Sequence, residues 1–356
     1  SWCFDPSGRE AAFTRNEQGF GRLCTVDLGT GRVVERAKAV HGQLSWSGRW
    51  LVALRSGGKT PTRVVLYDTA TWERSDVIIG SAATWEGHPA LVEPSLTQVP
   101  AADGTALEAR LYRSARPNGR LLCWIHGGPT DQWMITFMPR FAFWLDRGYS
   151  ILVPDHRGSS GHGRAFAQAL RGRWGEVDVD DVGDVLRQVC ETHGYRSDHV
   201  AVLGSSAGGM TALVLAARDP AVLAAVVVAY PVSDIAGLDA VTHRFESHYN
   251  RFLMGSPIDT ERSSRERSPI HRPAALTATP ILLFHGTEDP VVPIDQSIRL
   301  AESIRAYGGV VEDVVFAGEG HGFRRRESKI VEFERTEQSL RRHLGVAEPL
   351  PGDRDR

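Results

Sequence analysis

Gly204-Ser205-Ser206-Ala207-Gly208 sets a serine between small residues in a G-x-S-x-G arrangement. Composition alone produces such a match in about one chain in five of this length, so its neighbours decide its weight. An apolar run, Val200 to Leu203, leads into it, and a helix-forming run, Met210 to Ala217, leads away. A strand, a sharp turn and a helix with serine at the apex present the hydroxyl for nucleophilic attack. Gly204 and Gly208 let the chain bend there without a Cβ clash. A serine hydroxyl is a weak nucleophile at neutral pH and needs a base.

Two later apolar runs end in suitable residues. Ile281 to Phe284 leads to His285-Gly286-Thr287-Glu288-Asp289-Pro290, and Val314 to Phe316 leads to Gly318-Glu319-Gly320-His321-Gly322-Phe323. Serine, then acid, then histidine is the chain order of α/β-hydrolases. Ser206 is thus the expected nucleophile, Asp289 the acid and His321 the base, with Glu288 as the rival acid. Asp289 would accept from Nδ1 of His321 and leave Nε2 to take the serine proton. The oxyanion needs two N–H donors. Ala207 supplies one. The HGG segment His126-Gly127-Gly128 after Leu121 to Ile125 supplies the other, expected at Gly128, unless the two glycines only make a tight turn. Asp155-His156-Arg157-Gly158 lacks both common phosphate-loop spacings and reads as a structural turn with an Arg157 ion pair. No metal or cofactor spacing occurs, and no cofactor is expected.

These loops need a scaffold. From residue 94 onward, strand-like and helix-like runs alternate, which predicts a mainly parallel sheet covered by helices. Strands are expected at 94–99, 106–112, 121–125, 150–153, 200–203, 224–228, 281–284 and 312–316. Helices are expected near 136–147, 179–193, 207–218, 295–307 and 327–344. The first 80 residues differ. Phe4-Asp5-Pro6-Ser7-Gly8-Arg9 and Leu44-Ser45-Trp46-Ser47-Gly48-Arg49 each precede a strand, and the period of about 40 residues is that of propeller blades. A generic β-sandwich is the alternative. The expected organisation is a partial β-propeller of about two blades (1–80), a linker (81–93), an α/β-hydrolase domain (94–346) and a disordered tail (347–356). Two blades cannot close a ring, so a longer parent protein is expected. Unpaired blade edges should be sticky, so poor solubility is expected; a homo-oligomer is left open.

The chain has 356 residues and a net charge of −2. Its basic residues are mostly arginine scattered among acids, so no nucleic-acid partner is expected. No apolar stretch reaches the roughly 18 residues of a membrane span, and no membrane partner is expected. Cys3, Cys24, Cys123 and Cys190 are widely spaced and read as free thiols, which suits a cytoplasmic location. A leader upstream of Ser1 is left open.

As a set, five segments resemble the prolyl oligopeptidase family of serine peptidases. They are His126-Gly127-Gly128-Pro129, Asp155-His156-Arg157-Gly158-Ser159, Gly204-Ser205-Ser206-Ala207-Gly208-Gly209, Gly286-Thr287-Glu288-Asp289-Pro290-Val291-Val292-Pro293 and Gly320-His321-Gly322-Phe323. Thr242-His243-Arg244-Phe245-Glu246 and Arg267-Ser268-Pro269-Ile270 point to the acylaminoacyl-peptidase and dipeptidyl-aminopeptidase-like branch. The resemblance implies cleavage of oligopeptide substrates near their N-terminus through an acyl-enzyme, with a β-propeller over the site. By analogy it places specificity elements in 230–256. Tyr230, Val232, Phe245, Tyr249 and Phe252 would line an apolar pocket, and Glu246 would meet a substrate amine. Core packing for the apolar residues and a solvated charge for Glu246 remain the alternatives. A carboxylesterase on the same fold is the rival activity, and a non-catalytic binding protein the rival class.

Overall fold

The computed structural model describes residues 1–78, 80–241, 249–255 and 260–345. The chain divides into two compact units that do not follow linear order. One unit comprises Ser1–Ser95, Tyr112–Pro117 and Gln132–Gly148; the other comprises Leu96–Leu111, Asn118–Asp131 and the described residues from Tyr149 onward.

The first unit holds two four-stranded antiparallel meanders. One is β1 (Trp2–Phe4), β2 (Glu10–Glu17), β3 (Phe20–Asp27) and β4 (Val33–Lys38); the other is β5 (Val40–Ser47), β6 (Trp50–Gly57), β7 (Thr60–Asp68) and β8 (Glu73–Ile78). The sequence repeat reappears as a repeat of hydrogen bonds. Leu28 N–H donates to the Arg9 carbonyl at 2.9 Å, and Thr69 N–H to the Arg49 carbonyl at 2.8 Å. Asp27 and Asp68 close the matching turns by accepting from Gly29 (3.0 Å) and Ala70 (3.1 Å) N–H groups. Alternate strand residues Leu23, Leu51, Ala53, Val65 and Tyr67 form a small core. Residues 132–148, including helix α1 (Pro139–Asp146), join this unit. Ile135 N–H donates to the Gly19 carbonyl at 2.8 Å, and Phe137 N–H to Ser56 Oγ at 2.9 Å.

The second unit is built on an eight-stranded sheet, with strands β9 (Ser95–Pro100), β10 (Ala106–Tyr112), β11 (Leu121–Ile125), β12 (Ser150–Asp155), β13 (Val200–Ser205), β14 (Ala225–Ala229), β15 (Ile281–Gly286) and β16 (Val311–Phe316). Its order is β16-β15-β14-β13-β11-β12-β10-β9, and the six strands from β16 to β12 pair in parallel. The order reverses around β11 and β13, and ligands of such sheets gather at the strand C-termini there. β11, β12, β14 and β15 are buried at every residue, as strands covered on both faces must be. The helices of this unit are α2 (Arg164–Gln168), α3 (Val177–His193), α4 (Ala207–Arg218), α5 (Ile235–Val241), α6 (Tyr249–Met254), α7 (Thr260–Arg267), α8 (Asp295–Ala306) and α9 (Arg326–Leu344). α2, α5, α6 and α7 were not expected from sequence. They have five to eight residues each, too short to show a hydrophobic period. This sheet and its helices are those of an α/β-hydrolase. Among the described residues no helix is long and apolar enough to cross a membrane.

Candidate active site

β13 ends at Ser205 and α4 begins at Ala207, so Ser206 alone makes the turn between them. Its φ is +53° and its ψ −125°, a conformation that costs a residue with a Cβ on the order of 1–3 kcal/mol. The surroundings hold it there. Ser206 N–H donates to the Ala229 carbonyl at 3.0 Å, and its own carbonyl accepts from Met210 at 3.2 Å and Val232 at 3.3 Å. A Cβ on Gly204 would stand 2.3 Å from the Gly208 carbonyl oxygen, and one on Gly208 2.4 Å from that of His126. Neither glycine can be replaced without moving backbone.

Asp289 lies in the loop after β15 and is buried. Its Oδ1 accepts from the N–H groups of Val291 and Val292, both at 2.9 Å. Its Oδ2 stands 2.7 Å from Nδ1 of His321. Burial alone would raise this carboxyl, but hydrogen bonds from His285 and His321 outweigh it and hold the group well below the usual carboxylate range. Glu288 is exposed, and its N–H donates to the Glu319 carbonyl at 2.9 Å, tying the two loops together. The loop bearing His321 folds round the buried Glu319 carboxylate, which accepts from Arg324 and Arg325 N–H groups at 2.9 Å each. The Tyr230 ring lies 4.4 Å from the His321 ring. The C-terminus of β14 therefore joins the serine turn to the imidazole, with Ala229 holding Ser206 and the next residue packed on His321.

The HGG loop runs against the serine: a Cβ on Gly127 would lie 3.2 Å from the Ser205 carbonyl oxygen and 3.6 Å from Ser206 Cβ. Gly128 has φ +118°, and Ala207 heads α4, where backbone N–H groups and the helix dipole favour negative charge. Behind the loop, buried His126 donates from Nδ1 to the Gly127 carbonyl at 2.8 Å and meets Ser159 Oγ with Nε2 at 2.7 Å. Burial, helped by the stacked His156 ring 4.6 Å away, pushes His126 down to about 3. Arg110 and Asp155 form a buried ion pair, and His162 Nε2 reaches Asp155 at 2.8 Å. Arg157 pairs with Asp181 at 2.6 Å and also with Asp103, so this turn is built as an ion-pair staple.

The sequence model of the prolyl oligopeptidase family matches residues 135–347. The chain belongs to the prolyl oligopeptidase family. It is 29% identical over 321 residues to dipeptidyl aminopeptidase BIII of Pseudoxanthomonas mexicana, covering 85% of this chain and 46% of that protein. It is 28% identical over 228 residues to the human (Homo sapiens) acylamino-acid-releasing enzyme, covering 62% of this chain and 31% of the enzyme. A solved puromycin-hydrolyzing peptidase of Mycobacterium tuberculosis superposes with a TM-score of 0.90 at 27% identity, over 98% of this chain and 54% of that one. The chain thus spans about half the length, or less, of these relatives.

The remaining residues singled out for this prolyl oligopeptidase family member fall in different places. Tyr230 is at the imidazole. Val232 is buried in the sheet core, its N–H on the Ser206 carbonyl. Tyr249 meets Thr130, two residues after Gly128, with a hydroxyl contact of 2.6 Å, and its ring stacks on Phe252. Phe245 and Glu246 lie outside the described residues. Sequence reasoning missed His285, Glu319 and His126 as side chains packed behind the site loops. The available signal was a titratable residue directly after an apolar run (His285) or preceding the glycines of a site loop (Glu319, His126).

Proposed function

We propose that this chain is the catalytic part of a serine peptidase that cleaves short peptides near their N-terminus through an acyl-enzyme. Ser206 is the nucleophile, His321 the base and Asp289 the acid. The 2.7 Å contact between His321 Nδ1 and Asp289 Oδ2 carries the reading, because it leaves Nε2 as the free base at the edge where the serine turn lies. Ser206 Oγ attacks the scissile carbonyl carbon as its proton passes to His321 Nε2, and Asp289 stabilises the imidazolium. The N–H groups of Gly128 and Ala207 bind the oxyanion. His321 then protonates the leaving amine, and the acyl group stays on Ser206. Water, deprotonated by the same imidazole, releases the acid and restores the serine.

The activities of the relatives, a dipeptidyl aminopeptidase, an acylamino-acid-releasing enzyme and a puromycin-hydrolyzing peptidase, support an N-terminal amide as the substrate class. We read the two antiparallel meanders as two blades of a β-propeller and the eight-stranded sheet as the peptidase domain. The deciding experiment compares a free-amine dipeptidyl anilide, an N-acetyl-aminoacyl anilide, puromycin and a short-chain nitrophenyl ester, with Ser206→Ala as control. Amide cleavage lost in Ser206→Ala supports a peptidase and selects its branch. Hydrolysis of the ester alone makes the chain a carboxylesterase, and no Ser206-dependent turnover makes it a binding protein.

A further inference from the structure

His285 is the penultimate residue of β15 and is wholly buried. Its Nε2 lies 2.9 Å from the Val292 carbonyl oxygen. A carbonyl only accepts, so Nε2 carries the proton. The same N–H group stands 3.5 Å from Asp289 Oδ2, the oxygen that faces His321. Val292 returns the connection, since its own N–H donates to Asp289 Oδ1 at 2.9 Å. One ring therefore holds the carbonyl of the residue whose N–H holds the carboxylate. On its other side, Nδ1 meets the buried Ser297 Oγ of α8 at 2.6 Å, which fixes the ring against a helix of the scaffold. A histidine that only filled the core would need none of these contacts to the acid.

We propose that His285 is a positioning residue: it locks the Asp289–Val292 turn so that Asp289 Oδ2 is aimed at His321. It touches neither substrate nor reacting atoms and acts through Asp289; its ring also meets the edge of Tyr230 at 6.4 Å. Without the ring, the buried Val292 carbonyl loses its donor, the turn relaxes, and the carboxylate is free to rotate off the imidazole. The inference rests on reading Ser206, His321 and Asp289 as a triad.

The test is the rate at which a fluorophosphonate probe labels the protein, measured against pH, for the wild type and for Ser206→Ala, His285→Leu, His285→Gln and Ser297→Ala. A misaimed carboxylate should slow His285→Leu on the order of 10- to 100-fold at neutral pH. It should also move the acid limb of the rate profile to lower pH, because it stabilises the imidazolium less. His285→Gln, whose amide N–H reaches the Nε2 position, should regain most of the rate. Ser297→Ala keeps the ring and only loosens it, so it should shift the limb the same way by less, and it serves if His285→Leu does not fold. An unmoved acid limb in the folded variants overturns the inference, whatever their rates. Labelling that persists in Ser206→Ala, or is absent from the wild type, overturns the triad reading instead.

Discussion

The ring of Tyr230 stands 4.4 Å from that of His321 and tilted 54° to it, while Tyr230 itself has φ +39°. Its N–H is anchored on the Phe284 carbonyl at 2.7 Å, and its ring also meets Phe323 at 5.5 Å. The strained backbone is thus spent on a wall for the imidazole. Tyr230→Ala should lower kcat/KM by about 10-fold through a less well-placed base, and Tyr230→Phe, which keeps the ring, should lose less. Equal losses in the two variants would show that the hydroxyl and not the ring matters.

Ser206 gives a stability prediction separate from activity. Both Ser206→Ala and Ser206→Gly remove the nucleophile and should cost roughly a million-fold in kcat. Alanine keeps the Cβ that makes φ +53° unfavourable, whereas glycine reaches this region freely. Ser206→Gly should therefore melt about 1–3 °C above Ser206→Ala, despite the entropy glycine adds to the unfolded chain. Calorimetry of the two inactive proteins checks this; a lower midpoint for the glycine variant refutes a strained turn.

Gly208→Ala should damage both the fold and the site with a single methyl group. Its Cβ would meet the His126 carbonyl oxygen at 2.4 Å and that of Ile125 at 2.6 Å, both backbone atoms of the strand and loop behind the serine. Overpacking of this kind costs about 1–3 kcal/mol or more. Denaturant unfolding should show that loss, together with slower probe labelling as the HGG loop is pushed off Ser206. Wild-type stability in this variant would mean that the strand and α4 are less tightly apposed.

Acid should loosen the same loop. Burial pushes His126 from 6.5 to about 3 in the folded chain. A histidine lowered in this way contributes stability that is whole above pH 6.5 and is lost as pH falls from 6.5 toward 3. His41, held down to about 4 by burial, adds to the slope in the first unit. Each group contributes at most about 1.4 kcal/mol per pH unit. Unfolding free energy should fall between pH 7 and pH 4.5, and His126→Gln should flatten that fall. Identical slopes in the two proteins would count against a neutral, buried His126.

Much of the peptidase fold was legible because its strands are covered on both faces. Leu121 to Ile125 and Ile281 to Phe284 read as continuous apolar runs, as strands of a parallel sheet between helices do. The strand bounds differ by one or two residues, as at β13, where Gly204 and Ser205 extend the strand into the turn. The short helices between residues 235 and 267 were not legible, because so few turns carry no periodicity. Nor was the grouping of residues 132–148 with the N-terminal sheets, which rests on hydrogen bonds such as Ile135 to Gly19 that no local pattern announces.

The sequence by itself determined the order of serine, acid and histidine, the strand before each, and the glycines that the serine turn demands, because these are properties of contiguous residues. Only the tertiary structure decided that Asp289 is buried against His321 while Glu288 is exposed. It alone brought Tyr230 onto the imidazole and set His285 behind the acid. Those relations join loops at the ends of different strands, and their distances are set by how the sheet stacks the strands, not by how far apart the residues lie along the chain.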